Sequence, residues 1–337
     1  MNTIGTLFRL TLYGESHQAA IGVVIDGVPP GIPIDEDAIA RALKARNPDA
    51  VGTTPRKEKD RFQITSGIFE GRTTGSPIHV MIENKDVRSK DYDHLRRHPR
   101  PGHSDFVAHR KYGGFNDHRG GGRFSGRLTA PLVVAGSIAK QVVPFSFSHR
   151  IKQLGTLTDM TKLDPYLESV KAEGDSVGGI IELRVDDVPV GLGEPMFEKV
   201  ESKAAQILFS IPAVKGVEFG TGFEGITMKG SAFNDTIEDD TGKTLTNHSG
   251  GVSGGITNGN PLIVKVFIKP TSSIQKSQET YHTEHGRRET MEIKGRHDVA
   301  IARRAPIVLE SVLAVVMADL YLKHLGNESA LHETQTK

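Results

Sequence analysis

The sequence predicts a single α+β domain whose two halves repeat one plan, and three observations predict it. Short strand-like runs alternate with segments of helical period. Two motif pairs recur in the same order: Asp26-Gly-Val-Pro-Pro-Gly31 is echoed by Asp186-Asp-Val-Pro-Val-Gly191, and Gly75-Ser-Pro-Ile-His-Val80 by Gly259-Asn-Pro-Leu-Ile-Val264. No stretch has linker composition, so the halves are expected to interleave over residues 1–326 as one domain, with 327–337 a polar, fraying tail. Strand–turn–Gly-Pro patterns also recur freely, and coincidence is the competing explanation of the echo.

Each element has its own warrant. Residues 7–13 alternate Phe8, Leu10 and Leu12 with Arg9 and Thr11, as a half-buried strand does, and end in Gly14-Glu15-Ser16-His17. An apolar run at 21–25 stops at the turn residues 26–31. Asp35 can cap a helix reaching Arg46, with Ile39 and Leu43 four apart and Pro48 ending it. Strands are expected at 61–69 and 78–82, then a long aperiodic stretch, 96–129, then a helix at 129–142. The second half reads as strands at 151–157, 180–185, 215–219, 226–229 and 262–268, with helices at 165–172 and 197–208. A second glycine-rich loop covers 247–260, and 280–288 reads as polar and mobile. The apolar run 305–322 is broken by Glu310 and Asp319, so a buried helix is expected and a membrane span is not.

Composition narrows the function. The chain has 337 residues, formal net charge +1 and no cysteine. A near-neutral chain is no general polyanion binder, and without cysteine there is no disulfide, thiolate nucleophile or Cys-ligated metal. These features, with no signal-peptide pattern at the N-terminus, fit a cytoplasmic protein. Walker, nucleophile-elbow and Rossmann patterns are missing, as is a helical His-x-x-x-His pair with an accompanying acid, so no metal is expected.

Basic character is local. The stretch 96–129 is dense in arginine and histidine, with Asp105 and Asp117 its only acids. Gly120, Gly121 and Gly122 let backbone N–H groups approach a ligand, and such turns make anion-binding concavities. Arg123 and Arg127 flank Ser125, and guanidinium forks match carboxylate and phosphate oxygens. A solvated basic loop or a nucleic-acid patch is the blander reading; neutral net charge and the lack of any nucleic-acid motif oppose the second. His17, His103 and Asp298 sit beside glycine or arginine in aperiodic segments, where an acid or base is plausible.

Gly14-Glu-Ser-His17, Arg100-Pro-Gly-His-Ser-Asp105, Gly120-Gly-Gly-Arg-Phe-Ser-Gly-Arg127, Ile211-Pro-Ala-Val-Lys-Gly-Val-Glu218, Lys269-Pro-Thr-Ser-Ser273 and Gly295-Arg-His-Asp298 together resemble chorismate synthase, in that family's order and across nearly the whole chain. The resemblance implies a β-α-β sandwich, a helical layer between antiparallel sheets, assembled as a homotetramer. It implies a lyase of the shikimate pathway of aromatic amino acid biosynthesis, converting 5-enolpyruvylshikimate 3-phosphate to chorismate and phosphate with reduced FMN. It implies that His17 protonates the departing phosphate, His103 protonates or hydrogen-bonds the reduced flavin, and Asp298 relays the proton near N5. Arg123, Phe124, Ser125, Ala213, Gly254, Lys269, Pro270, Thr271, Ser272, Ser273 and Arg296 match flavin-contacting positions. Arg46, Arg100 and Arg127 match positions that hold the substrate's anionic groups. NADP is the reductant the resemblance brings with it; no added reductase-like segment is visible, so the flavin reductant is expected to be external.

The sequence departs from the family pattern at Gln18 (usually glycine), Gly52 (an arginine), Phe124, Leu128 (an acid) and Val299-Ala300 (Pro-Cys). These departures define the competing reading, a non-catalytic paralogue that binds flavin or a shikimate-type anion. Survival of His17, His103 and Asp298 favours the working enzyme.

Overall fold

The computed structural model describes residues 2–46, 51–53, 60–85, 95–293 and 297–335. The chain opens with β1 (Thr3–Ile4), β2 (Arg9–Gly14) and β3 (Ala20–Asp26), then α1 (Glu36–Arg46), β4 (Phe62–Ser66), β5 (Ile68–Phe69), β6 (Arg72–Thr73) and β7 (Ile78–Glu83). Two helices, α2 (Asp105–Lys111) and α3 (Thr129–Val142), close the first half. The second runs β8 (Ser146–Leu154), α4 (Leu163–Ala172), β9 (Gly179–Asp186), α5 (Val200–Ser210), β10 (Val214–Phe219), α6 (Gly230–Phe233), β11 (Val252–Ser253), β12 (Ile256–Thr257), β13 (Leu262–Ile268), β14 (Gln278–His282), β15 (Arg287–Met291) and α7 (Ala305–Gln335).

Two antiparallel sheets, ordered β1-β2-β3-β7-β4 and β10-β13-β9-β8, enclose the helices. One face of each is apolar because alternate residues point the same way. Ile21, Val23, Ile25, Ile78, Val80 and Ile82 from the first sheet, and Ile181, Leu183, Val185, Leu262, Val264 and Val266 from the second, are fully buried. Against them lie α3 and α7, which pack on each other, with α1 and α5 alongside. The two central helices meet closely at Gly136, where a Cβ would collide with Ser311. By length and composition, 305–330 of α7 could cross a membrane, yet most of that window is buried in the core. An all-round apolar helix belongs in such a position.

The sequence echo is structural. Strand orders β2-β3-β7-β4 and β8-β9-β13-β10 correspond, with α1 matching α5 and α3 matching α7. Registers agree, Ile25 facing Ile78 as Val185 faces Leu262. Even the turns repeat. Thr73 Oγ1 donates to Pro29 O at 2.6 Å and accepts from Ile32 N at 2.9 Å. Thr257 Oγ1 donates to Pro189 O at 2.6 Å and accepts from Leu192 N at 2.8 Å.

Several local expectations change. Residues 226–229 are not a strand: 3₁₀ turns cover Gly222–Thr227, because Gly222 and Gly225 break any extended run. Residues 280–288 are not loose, since they lie in the β14–β15 hairpin, polar on both sides and docked on another segment of chain. The strand expected at 151–157 ends at Leu154 and begins at Ser146, where exposed polar residues mask its alternation. Within 96–129 lies α2, and the helix expected over 305–322 continues through the polar tail to Gln335. Asn327 to Gln335 contains no proline, so nothing in it forces a stop.

Candidate active site

The glycine triplet is held in a conformation that only glycine adopts readily, with φ of 59°, 81° and 52° at Gly120, Gly121 and Gly122. Gly122 O accepts from Ser16 N at 3.3 Å, which lays the loop across the turn after β2. A Cβ on Gly120 would collide with the His17 ring, and one on Gly121 would stand 3.9 Å from His103 Cε1. Two histidines distant in sequence therefore border adjacent glycines of one turn.

His103 is fixed from behind. Its Nδ1 lies 2.6 Å from Asp105 Oδ1, so Nδ1 carries the proton and Nε2 is the nitrogen left for a ligand. Arg100 grips the same carboxylate through Nε at 2.7 Å and Nη2 at 2.9 Å, and reaches Ser273 Oγ at 3.1 Å. Burial alone would raise the Asp105 pKa; hydrogen bonds from Arg100 and His103 outweigh it and hold the carboxyl far below its usual range. Arg100, expected to bind substrate, is nearly buried in this clamp. Lys269 Nζ and Ser272 Oγ both donate to Gly102 O, and Lys269 N donates to Ala213 O at 2.9 Å. Ala213 has φ of 72°, a strained value for a residue with a Cβ. Thr271 Oγ1 is buried with no hydrogen-bond partner among the described residues.

The cationic side is a chain of shared carboxylates. Asp60 is bonded by Arg46 Nη2 at 2.6 Å and by Arg127 Nη1. Arg127 Nε donates to Asn84 Oδ1 at 3.0 Å, while Asn84 Nδ2 donates to Glu15 O and Gln18 O at 3.1 and 2.8 Å. Asn84 thus couples Arg127 to the turn carrying His17. Asp298 accepts from Arg304 Nε at 3.2 Å, and Arg304 lies close enough to Arg46 to repel it. Burial lowers the Arg46 pKa, partly offset by Asp60, and its Nε is buried without a partner among the described residues.

Not every expected residue joins this network. Arg123 donates to Gly14 O and Leu12 O at 3.2 and 3.0 Å and to Asn2 Oδ1 at 2.7 Å, so it braces β2. Ser125 Oγ accepts from Arg127 N and caps the short turn Gly126–Leu128. Phe124 lines a cleft with Gly121, Asp105, His109, Asn116 and His118. Pro270 joins β13 to the Thr271–Ser273 segment. Gly254 stands apart. Its neighbour Gly255 accepts from Val200 N at the start of α5, whereas Ala213 and Lys269 lie beyond that helix's end, about 16 Å of helix away. Arg296 lies outside the described residues. Asp60, Asn84, Asp105 and Arg304 were missed; only Asp105, beside His103 in a basic run, had any signal in the sequence.

Three departures have local explanations. Gln18 Nε2 donates to Asp117 Oδ2 at 2.9 Å. Leu128 is a buried core residue, where an acid would need a partner. Gly52, at φ of 82°, packs on Leu167, and its carbonyl accepts from Val299 N beside Asp298.

An antiparallel sandwich that sets two histidines beside one glycine turn, with guanidinium–carboxylate clusters near it, has the makings of an enzyme that moves protons on an anionic substrate. Comparison with known proteins gives the family. The chorismate synthase profile matches residues 8–322. Chorismate synthase of Chitinophaga pinensis is 53% identical over 324 residues, 96% of this chain and 97% of that one. That of Korarchaeum cryptofilum is 42% identical over 351 residues, 95% and 97% of the two chains. A crystal structure of chorismate synthase matches with TM-score 0.75 and 25% identity, over 96% of this chain and 94% of that one. The chain belongs to the chorismate synthase family.

Proposed function

We propose that the glycine turn bordered by His17 and His103 is where this chain carries out the family's reaction, eliminating phosphate from 5-enolpyruvylshikimate 3-phosphate to give chorismate. The C3–O bond breaks as phosphate leaves, a proton leaves C6, and a new ring double bond forms. His17 donates a proton to the departing phosphate. Arg46, Arg127 and Arg304 face the substrate's phosphate and carboxylates. Asp60 and Asp298 offset part of their charge, so the pocket stays cationic without three unshielded guanidiniums. Asp298, held by Arg304, accepts and relays the C6 proton. Arg100 is a positioning residue: through Asp105 it orients His103.

The residues also fit a reduced flavin mononucleotide. The unpartnered Thr271 hydroxyl, Lys269, Ser272 and Ser273 offer donors suited to a phosphate, and the glycine triplet leaves a cradle that any Cβ would fill. When bound, reduced FMN supplies transient electron density that eases departure of the phosphate. His103 Nε2 hydrogen-bonds it. Gly254, set apart from this site within one chain, would meet the flavin from a second copy in the proposed homotetramer. The flavin reductant is external to the chain, and the protein works in the cytoplasm.

The observation that carries the reading is the placement of His17 and His103 on adjacent glycines. The test is anaerobic assay with reduced FMN and substrate, following phosphate and chorismate together. Wild type forms both in equal amounts; His17→Ala and His103→Ala each lose about 10²–10⁴-fold in turnover, the usual contribution of a general acid or base. Bound FMN with no chorismate from wild type would instead mark a non-catalytic paralogue.

A further inference from the structure

We infer that the β14–β15 hairpin carries a binding site for a borderline divalent metal ion of the zinc class, outside the active site. His282 ends β14, His285 stands at the turn and Glu289 lies on β15, a His-x-x-His-x-x-x-Glu spacing. One ligand atom from each lies within 4.8 Å of the other two. Ligands of a tetrahedral zinc, each 2.0–2.1 Å from the metal, stand about 3.3 Å apart. Rotation about side-chain torsions covers the difference. Two imidazoles and a carboxylate are zinc-type donors, and they leave a fourth position open.

A second observation points the same way. The ring of His98 sits 5.0 Å from that of His282, and its Nε2 is buried with no hydrogen-bond partner among the described residues. A buried imidazole nitrogen without a partner is costly, and a metal at the neighbouring cluster gives it one. His282 Nδ1 accepts from His285 N at 3.3 Å, which leaves Nε2 for the ion. Three contacts oppose the site and must yield. His285 Nδ1 is bonded to Glu289 at 2.9 Å, Arg287 Nε donates to Glu289 at 2.7 Å, and the His282 and His285 rings stack in parallel at 3.8 Å, so one must turn. Arg287 is an exposed side chain that can swing into solvent. The sequence hid this site because its histidines are three apart on a hairpin, where no helical pair exists to see.

The location gives the ion a consequence. The hairpin already holds the strand of chain entering the active site: Thr283 N and Oγ1 donate to Arg97 O at 2.7 and 2.9 Å, and Thr280 Oγ1 donates to Pro99 O at 2.8 Å. Arg100, which orients Asp105 and His103, is the next residue. A metal joining His98 to the hairpin would staple this segment.

Full-length protein, stripped with chelator and then dialysed, is titrated with Zn²⁺ by calorimetry, and Co²⁺ is followed by its visible d–d absorption. One ion binds per chain with micromolar or tighter affinity, and Co²⁺ gives the intense bands of a four-coordinate site. His285→Ala, at an exposed position, weakens binding at least 10-fold, as does His98→Gln. Zn²⁺ slows hydrogen exchange in 97–99 and 278–291 of wild type. Absence of saturable binding below about 100 μM overturns the proposal, as does binding unchanged in a His282→Ala, His285→Ala double variant. None of these readouts depends on turnover, so they stand apart from the outcome of the chorismate assay.

Discussion

At the scale of single residues, the side chains expected from sequence divide into those that face the cleft and those that hold others in place. Asp105 is the sharpest case. Its carboxylate is taken up by Arg100 and His103, and it fixes which nitrogen of His103 carries the proton and where the ring stands. Asp105→Asn is expected to lower kcat roughly 10²-fold, the cost of about 1 Å of misplacement, while KM changes little. Steady-state kinetics on reduced FMN checks this. A KM effect equal to the kcat effect would mean that Asp105 serves binding instead. The roles of Arg100 and Arg123 were illegible for a related reason: sequence shows a guanidinium, but not whether a carboxylate or a carbonyl has already claimed it. Asp60 illustrates the converse. It follows a lysine-rich stretch with no pattern around it, and only the fold brings it between Arg46 and Arg127.

At the scale of elements, α7 carries two buried acids that no part of the reaction uses. Asp319 accepts from the backbone N–H groups of Thr6, Leu7 and Phe8 at 2.6–3.0 Å, pinning the segment between β1 and β2 onto the helix. Hydrogen bonds to a charged group contribute about 1.5–3 kcal/mol each, and buried donors left unpaired cost a similar amount. Asp319→Ala should destabilise the fold by about 2–4 kcal/mol in urea unfolding; a loss below 0.5 kcal/mol would show that water replaces the carboxylate easily. Glu310 joins Lys140 of α3 to His149 of β8. Burial pushes its pKa up, but hydrogen bonds from His149 and Lys140 pull it below the ordinary value. A carboxylate with a depressed folded pKa stabilises above its unfolded value, about 4.3, and that contribution disappears as pH falls through the folded pKa. The unfolding midpoint should therefore drop between about pH 5 and pH 3, and drop less steeply in Glu310→Gln. Parallel pH profiles for the two proteins would contradict this role. Element boundaries followed periodicity where it was strong, as in α3, read as 129–142 and found as Thr129–Val142. They failed where polar residues formed strands, as in the β14–β15 hairpin, because burial pattern alone cannot mark a hairpin that is wet on both faces.

At the scale of the whole molecule, the repeat explains how one short chain builds a site from distant segments. Each half contributes a sheet, a flanking helix and a central helix, and the central helices pack together in the middle. The matched threonine turns at Thr73 and Thr257 show that the two motif pairs in the sequence mark one backbone solution used twice. The halves then diverge in what they hang on that frame: the glycine triplet and His103 from the first, the Lys269–Ser273 segment and Asp298 from the second. Sequence reveals the frame because apolar alternation is local. It reveals the site only through motif resemblance, since the approaches of His17 to Gly120 and His103 to Gly121, and the Arg127–Asn84 bond, join residues far apart in the chain. The central claim, that both histidines serve one bound substrate, is tested most directly by a crystal structure of the protein with FMN and 5-enolpyruvylshikimate 3-phosphate. The account predicts the substrate's phosphate within hydrogen-bonding reach of His17 and the flavin in contact with His103. Substrate bound elsewhere, with His17 or His103 facing only solvent, would contradict it.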